Sequence, residues 1–345
     1  MKEVKGMFTQ RRVKKVWKFL LTFMLLVLTG QFGGCFSFIP RTAKIQIKYL
    51  KPPQLDIGKI RRIVISPFEG QGGMSVSNRL MAKLFEGRYY TILEREKVDA
   101  LLKEMGLSER GIVDQTTAAQ IGKALGAEGI IFGSVDGYTV TDDRSMKKVR
   151  KYRPEKEGGS YDIELPYILR RARLAVTFKM VNIETGELLG IKSITKEYSQ
   201  GILEDPDNPQ FLEPGDLILD KLIDQVTDEF LKQISPYYIT ADRYWEYIGV
   251  DEDRLRNYFT QNLFDILGDE LDKLINRPGL KPEQLAAVYH NRGVVYEVLG
   301  NLNKAEEYHK QAVRLNPTDF HTNDLNEVRT RIEEVKKLQE MGFLK

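Results

Sequence analysis

The side chains that could do chemistry in this chain are few, and their spacing matches no catalytic arrangement. The 345 residues include three histidines, His290, His309 and His321, and a single cysteine, Cys35. No Ser-His-Asp order, HExxH motif, P-loop or paired-carboxylate motif stands out. Zinc ligation by the histidines is not expected, because no cysteine lies near them. The sequence therefore predicts a non-enzymatic protein with no catalytic residue, no metal site and no cofactor.

One glycine-rich turn could bind a phosphate group. Residues 69–75 read EGQGGMS and lie between a predicted strand and a predicted helix. Free backbone N–H groups at such a turn can hold an anion. The turn matches neither GxGxxG nor GxxxxGK[ST], so we interpret it as a plain loop. A small-ligand site at this turn remains an alternative.

A basic segment followed by an apolar run predicts an export signal. Residues 1–34 hold seven Lys or Arg side chains and one Glu, and the apolar run spans Phe19–Leu28. At a rise of about 1.5 Å per residue that run is too short to cross a bilayer, but it suits a signal-peptide core. Removing this segment, which carries +6, changes the formal charge from +3 to −3. A mildly acidic mature chain argues against nucleic acid as a partner.

The position of Cys35, just after the apolar run and two glycines, resembles a bacterial lipobox. The resemblance implies that residues 1–34 are a lipoprotein signal peptide and that Cys35 becomes a lipidated N-terminus. Phe32 departs from the lipobox pattern, which usually has leucine three residues before the cysteine. By analogy with enteric lipoproteins, the resemblance implies that Phe36, in place of aspartate, favours the outer membrane, so we expect a lipid anchor on the periplasmic face of that membrane. A plain secretory signal, or an uncleaved anchor with a chance cysteine, is the alternative.

Apolar periodicity predicts the elements that follow. We interpret residues 35–58 as an exposed tether, in which the alternation of 43–49 could add an edge strand. The next segments predict the order strand, helix, strand, helix, helix, strand, at 63–65, 76–85, 89–93, 94–105, 114–125 and 128–140.

Three motifs in this region resemble one protein family. They are YTILER at 90–95, EMGLSERG at 104–111 and DQTTAAQIGKALGAEGIIFGSV at 114–135. They resemble the CsgG-type curli-secretion lipoproteins, whose core is similar to that of the LpoB-type periplasmic activators of penicillin-binding proteins. The resemblance implies an α/β fold, a small mixed sheet flanked by helices, over residues 59–236. Motifs of this kind are specific for a fold and weak for a function.

Two later segments fit the same fold. The alternation in 172–195 predicts an antiparallel hairpin with one wet face, and 216–234 predicts an amphipathic helix that covers the sheet. The buried face of the hairpin would carry Leu174, Val176, Phe178 and Met180.

The resemblance also implies an oligomeric secretion channel with hairpins inserted into the membrane. The corresponding segment, 141–164, is crowded with Lys and Arg, and 197–214 holds five acids and three prolines. Each charge facing lipid at the midplane would cost about 2–4 kcal/mol. We therefore predict that 141–164 is a mobile charged loop available to a partner. A channel subunit, and with it a homo-oligomer, remains the alternative.

Residues 286–319 resemble a tetratricopeptide repeat, the second recognisable pattern. The resemblance implies an all-α domain over 250–345, with helices at 253–275 and 324–341 that cap the single repeat. Residues 237–249 are interpreted as an aromatic hinge. The matching positions are Tyr289, Gly293, Tyr296, Gly300, Leu302, Ala305, Tyr308, Ala312, Leu315 and Pro317.

Repeats of this family bind peptides or helices in a concave groove. By the family pattern, the inward-facing positions are Ala287, His290, Val294 and Glu297. The alternative is that the repeat only packs against the rest of the protein. The sequence therefore predicts a lipid-anchored adaptor in envelope biogenesis or secretion that binds envelope or secreted proteins through the repeat region.

Overall fold

The computed structural model describes residues 43–93, 123–124, 126–153 and 158–344. Cys35, the signal peptide, the helix predicted at 94–105 and most of that predicted at 114–125 lie outside the described residues. The strands are β1 (Lys44–Lys51), β2 (Arg62–Ile65), β3 (Thr91–Ile92), β4 (Gly129–Tyr152), β5 (Ser160–Asn182), β6 (Leu188–Leu203) and β7 (Tyr237–Tyr244). The helices are α1 (Gly73–Gly87), α2 (Gly215–Ile234), α3 (Glu252–Thr260), α4 (Phe264–Ile275), α5 (Pro282–Val298), α6 (Leu302–Leu315) and α7 (Asp319–Glu340).

The α/β part is a five-stranded mixed sheet in the order β3-β2-β4-β5-β6. β2 runs parallel to β3 and β4, whereas β4, β5 and β6 form an antiparallel meander. Ile63, Val64 and Ile65 are at most 1% exposed, as expected for a short apolar run in a sheet covered on both faces. The predicted mixed sheet with flanking helices is confirmed.

Helices α1 and α2 pack against one face of this sheet. The ring of Phe178 on β5 stacks on Phe230 of α2 with centroids 4.2 Å apart and meets Phe68 edge-on at 5.3 Å. Burying a side chain of this size contributes about 1.5–3 kcal/mol. The predicted hairpin face and its covering helix are confirmed, since the residues buried there include Leu174, Val176, Phe178, Met180, Leu222, Ile223 and Val226.

The glycine-rich turn at 69–75 packs against β4. Gly72 has φ +78°, and a side chain there would collide with the ring of Tyr138. Gly70 has φ +87°, and a side chain there would meet the carbonyl of Val135. Only glycine combines these backbone angles with so close an approach. The turn is therefore built for packing and gives no support to the small-ligand alternative.

The segment 141–164, predicted as a mobile loop, instead continues β4 and β5 as a paired hairpin. Pairing runs without interruption from Thr141 to Tyr152 on β4. β6 adds a third strand beside β5 as far as Leu203. The loop prediction is therefore wrong for the described part of this segment. We call the paired residues 141–152, 160–171 and 197–203 the arm.

Cross-strand charge pairs explain why so charged a segment forms strands. Arg170 donates two hydrogen bonds to the carboxylate of Asp142, at 2.7 and 2.6 Å. Arg150, directly opposite Asp162, donates to its carboxylate at 3.0 Å. Opposite charges across a strand pair stabilise a sheet by about 0.2–1 kcal/mol each. A count of charges in the sequence does not show which of them will face each other.

β1 and β7 form a separate two-stranded antiparallel ribbon, which we call the ribbon. The pairing joins Lys44 to Tyr244 and Lys51 to Tyr237 across all eight positions. The tether prediction for 35–58 is therefore wrong at β1. The strand suggested by its alternation is present, but it pairs with β7 and does not lie at the edge of the five-stranded sheet. The aromatic hinge predicted at 237–249 is strand β7 over most of its length. Each strand completes the other's hydrogen bonds, which neither could do alone.

The helical part contains the predicted repeat helices. α5 and α6 are adjacent, and a side chain at Gly293 would run into the ring of His309, so only glycine permits this approach. The single helix predicted at 253–275 is wrong, because the chain breaks between α3 and α4, where Asn262 takes φ +58°. Asparagine is one of the few residues that adopts this left-handed conformation readily. Within the described residues, no helix combines the length and apolarity needed to cross a membrane.

Candidate functional site: the groove of the repeat and the ribbon within it

The four residues predicted to bind a partner lie on one face of α5, but they are not accessible. Ala287, His290, Val294 and Glu297 are each at most 1% exposed. The ribbon lies against this face. The structure therefore brings the four residues together and places the chain's own strands where another protein was expected. The prediction of an open groove is wrong, and the alternative of packing within the chain describes the structure.

The apolar half of the contact uses the inward face of β1. Ile45 and Ile47 are 8% exposed and share a buried cluster with Ala287 and Val294. Trp245, which follows β7 directly, belongs to the same cluster. The alternation of residues 43–49 places the two isoleucines on one side of the strand, and this pattern was visible in the sequence. Its partner strand was not, because β7 lies about 190 residues further along the chain.

The charged half of the contact is centred on Glu297, whose side chain is fully buried. Arg243 of β7 donates to both carboxylate oxygens, with N–O distances of 2.9–3.1 Å. Arg331 of α7 and His309 of α6 lie 2.5 and 3.1 Å from the same carboxylate. Burial alone would raise the pKa of Glu297, but the hydrogen bond with His309 and the charge of Arg243 outweigh it and lower the pKa to about 2.

Helix α7 holds the ribbon from the other side. Lys51 of β1 lies 2.8 Å from Glu334, and the guanidinium of Arg331 lies 4.5 Å from the ring centroid of Tyr49. Arg331 therefore contacts β1 and Glu297 at once. A buried arginine of this kind packs through its stem as well as its charge. The ribbon is thus clamped between α5 and α7.

All three histidines of the chain meet beside this contact. The ring centroids of His309 and His321 lie 5.3 and 5.6 Å from that of His290, and all three rings are buried. The spacing of the three histidines in the sequence did not predict that they would lie together in the fold. Glu246, whose carboxylate accepts a hydrogen bond from Nε2 of His321 at 2.7 Å, joins the cluster from the end of β7. Arg243, Arg331 and Glu246 were missed because charged residues inside a contact have the same sequence signature as solvated ones.

The arm exposes large side chains among its charged residues. Met146 and Tyr152 are 57% and 80% exposed. Lys151 lies 2.6 Å from Asp205, and Lys147 sits 3.4 Å from the ring centroid of Tyr167. Lys147 is thus engaged within the arm and Lys151 with the segment that follows it, which leaves a surface of mixed charged and apolar character.

The comparison with protein families agrees with both sequence resemblances. Residues 57–202 match the family described as curli production assembly/transport component CsgG, and residues 286–319 match the tetratricopeptide repeat. The chain therefore carries a CsgG domain followed by one tetratricopeptide repeat, as the sequence predicted. No curated protein matches the chain.

Several solved structures are similar to part of the chain. The LpoB C-terminal domain from Salmonella enterica is 10% identical with a TM-score of 0.27, covering 41% of this chain and 84% of that one. Lipoprotein GNA1162 from Neisseria meningitidis is 11% identical with a TM-score of 0.30, covering 49% and 97%. The PelC dodecamer from Paraburkholderia phytofirmans is 12% identical with a TM-score of 0.25, covering 55% and 99%. These values are too low to transfer a function.

Proposed function

We propose that the protein is a lipid-anchored, non-enzymatic assembly component of the bacterial cell envelope that acts in envelope biogenesis or secretion. The observation that carries this proposal is the CsgG domain at 57–202, in a family described by curli assembly and transport. The export signal at 1–34 and the lipobox-like Cys35 support an outer-membrane anchor facing the periplasm.

The geometry of the ribbon adds a role for the repeat domain. β1 begins nine residues after Cys35, and a fully extended chain of nine residues is about 30 Å long. A lipid at Cys35 would therefore hold the ribbon, and the repeat domain clamped onto it, within that distance of the membrane surface. In this proposal, the repeat domain holds in place the strand that follows the lipid anchor.

The surface that binds another envelope or secreted protein is then the arm. The groove predicted for that purpose is filled, whereas the arm exposes Met146 and Tyr152 among charged side chains. Interfaces commonly combine a few exposed large side chains with a charged rim. Binding at the arm leaves the ribbon undisturbed.

The test is site-specific photocrosslinking in intact cells of the native host. A benzoylphenylalanine at Met146 should give an adduct with an envelope or secreted protein, and one at Phe85, 73% exposed on α1, should not. Cys35→Ser should abolish fatty-acid labelling and release the protein from the outer membrane. A cytoplasmic protein with its leader intact, or equal adducts from both positions, would contradict the proposal.

A secretion-channel subunit is the second candidate, and the arm is the observation that favours it. Paired strands stand where the sequence predicted a loop. An adduct at Met146 with a second copy of the chain, together with rings in electron micrographs and ion conductance in planar bilayers, would establish this candidate. A monomer without conductance would exclude it.

A further inference from the structure

We propose that Glu246, His290, His321 and Asp324 bind a divalent transition-metal cation, of which Zn²⁺ is the best match. One donor atom each from Glu246, His290 and His321 lie within 4.8 Å of one another. The carboxylate of Asp324 lies 3.5 Å from Nδ1 of His290. Two imidazoles and two carboxylates form a four-ligand set that zinc accepts without any cysteine.

Each histidine has one ring nitrogen held by a backbone carbonyl and a second that faces the proposed metal position. Nδ1 of His321 lies 2.7 Å from the carbonyl oxygen of Asn316, which only accepts, so Nδ1 carries a proton. Nε2 of His321 donates to the carboxylate of Glu246 in the metal-free protein, and the metal would displace that proton. Nε2 of His290 lies 3.3 Å from the carbonyl oxygen of Tyr244. Its Nδ1 is fully buried and has no hydrogen-bond partner. A backbone carbonyl that fixes the second nitrogen is the usual support for a metal-ligating histidine.

Two of the donor pairs are close to the spacing that a small cation needs, and the donor atoms of Glu246, His290 and His321 would draw together from within 4.8 Å of one another. Two ligands about 2.0–2.1 Å from a tetrahedral metal are about 3.3 Å apart, close to the 3.5 Å between Nδ1 of His290 and Asp324. Nε2 of His321 and Glu246 are 2.7 Å apart and would need to separate by roughly 0.6 Å to admit the ion. The side chain of Glu246 is 24% exposed, which gives a path of entry.

The charge of the surroundings also favours a dication. The carboxylates of Glu246, Glu297, Asp324 and Glu327 face only the guanidinium groups of Arg243 and Arg331 in this cluster. Once a metal displaces the proton that His321 shares with Glu246, the imidazoles are neutral and the cluster has two excess negative charges, which a dication offsets. Buried charges of one sign are costly unless they are paired or bind a metal.

A metal here would join three elements that are distant in the sequence. Glu246 follows β7, His290 lies on α5, and His321 and Asp324 lie on α7. The ion would lock the end of the ribbon onto the repeat. This function goes beyond the proposed envelope role and is independent of it, because metal binding requires neither lipid nor partner. Metal binding to such a site adds directly to the stability of the fold.

The test is metal binding to the full chain, purified in detergent and stripped with a chelator. One equivalent of Zn²⁺ should bind and, at a hundredfold excess over its Kd, raise the melting temperature by about 5 °C. Co²⁺ should give the intense visible bands of a tetrahedral site. Glu246→Gln and His321→Gln should each weaken Zn²⁺ binding by about 100-fold. The matched control is His309→Gln, because His309 is equally buried but lies outside the donor set.

These measurements distinguish a site that binds a metal from a cluster held together only by hydrogen bonds. Tetrahedral Co²⁺ spectra that are lost in Glu246→Gln and kept in His309→Gln support the site. Absence of stoichiometric binding, or binding of equal strength in Glu246→Gln, overturns it. Glu246 is partly exposed, so its variant stays informative if His321→Gln fails to fold. Cys35→Ser should bind the metal normally, which separates this result from any failure of the proposed anchor.

Discussion

Arg243 and Glu297 form a buried bidentate ion pair that joins the ribbon to the inward face of the repeat. Their side chains are 3% and 0% exposed, and the shortest N–O distance between them is 2.9 Å. Arg243 is on the ribbon and Glu297 on α5, so the pair joins segments 54 residues apart. A position that the family pattern gives to a bound partner is thus taken by the chain itself.

Breaking this pair should destabilise the helical part strongly. Arg243→Ala leaves the carboxylate of Glu297 buried with part of its compensation removed, which typically costs about 3–5 kcal/mol. Trp245 is 4% exposed and is the only tryptophan left once residues 1–34 are removed, so its fluorescence in urea reports on this core. The control is Arg254→Ala, which removes a half-exposed partner of Glu270 and should cost less than about 1 kcal/mol. Equal losses in the two variants would contradict the assignment.

The low pKa of Glu297 predicts a loss of stability in acid. Burial alone would raise this pKa, but His309 and Arg243 lower it from 4.5 to about 2 in the folded protein. Since the folded value is the lower one, the stabilisation is complete above pH 4.5 and is lost as the pH falls toward 2. The gap between the two values corresponds to about 3 kcal/mol.

Urea unfolding of the wild type and Glu297→Gln between pH 2 and 6 measures this contribution. The variant should have the shallower pH dependence over the acid half of that range. Arg243 on β7, His309 on α6 and Arg331 on α7 contact the carboxylate of Glu297 directly. His290 on α5 and Asp324 on α7 also interact with its charge. Identical slopes for the two proteins would mean that Glu297 titrates normally.

The buried isoleucines of the ribbon should also contribute to stability, independently of the ion pair. Ile47→Ala empties a buried site beneath β1 and should cost about 2–5 kcal/mol. It should also speed hydrogen exchange in α5, because the ribbon covers that helix. Lys48→Ala changes the exposed side of the same strand and should leave both measurements nearly unchanged. Fast exchange in α5 of the wild type would show that the ribbon does not stay in the groove.

Engineered disulfides test the pairing of the arm. In a Cys35→Ser background, Val149→Cys with Ile163→Cys places two thiols directly opposite each other, which suits disulfide geometry. Val149→Cys with Asp162→Cys places them on opposite faces of the same hairpin. Mild oxidation should consume the free thiols only in the first pair. Equal oxidation of both pairs is the result expected of a mobile loop.

The sequence was sufficient where the contacts are local and periodic. Phe178 and its alternate neighbours on β5 were predicted to be buried, because a strand repeats every two residues. The helices of the repeat followed from small residues such as Gly293, which permits contact between α5 and α6. In both cases the information lies within one or two consecutive elements.

The sequence was insufficient where distant segments meet. The segment that forms β1 was predicted to be a tether because its partner strand, β7, comes only after the whole α/β domain in the sequence. The arm reads as a loop because its charges are satisfied across strands, and composition does not record such pairs. The histidine cluster depends on three helix faces converging, which is a property of packing. The four residues predicted to bind a partner do share one face of α5, but the ribbon covers that face.

The most direct test of the occupied groove is a double-mutant cycle on Arg243→Ala and Glu297→Ala. The two residues contact each other only if the ribbon lies in the groove. We expect a coupling free energy of at least about 2 kcal/mol from urea unfolding followed by Trp245 fluorescence. A coupling near zero, with the two single effects simply adding, would contradict the account.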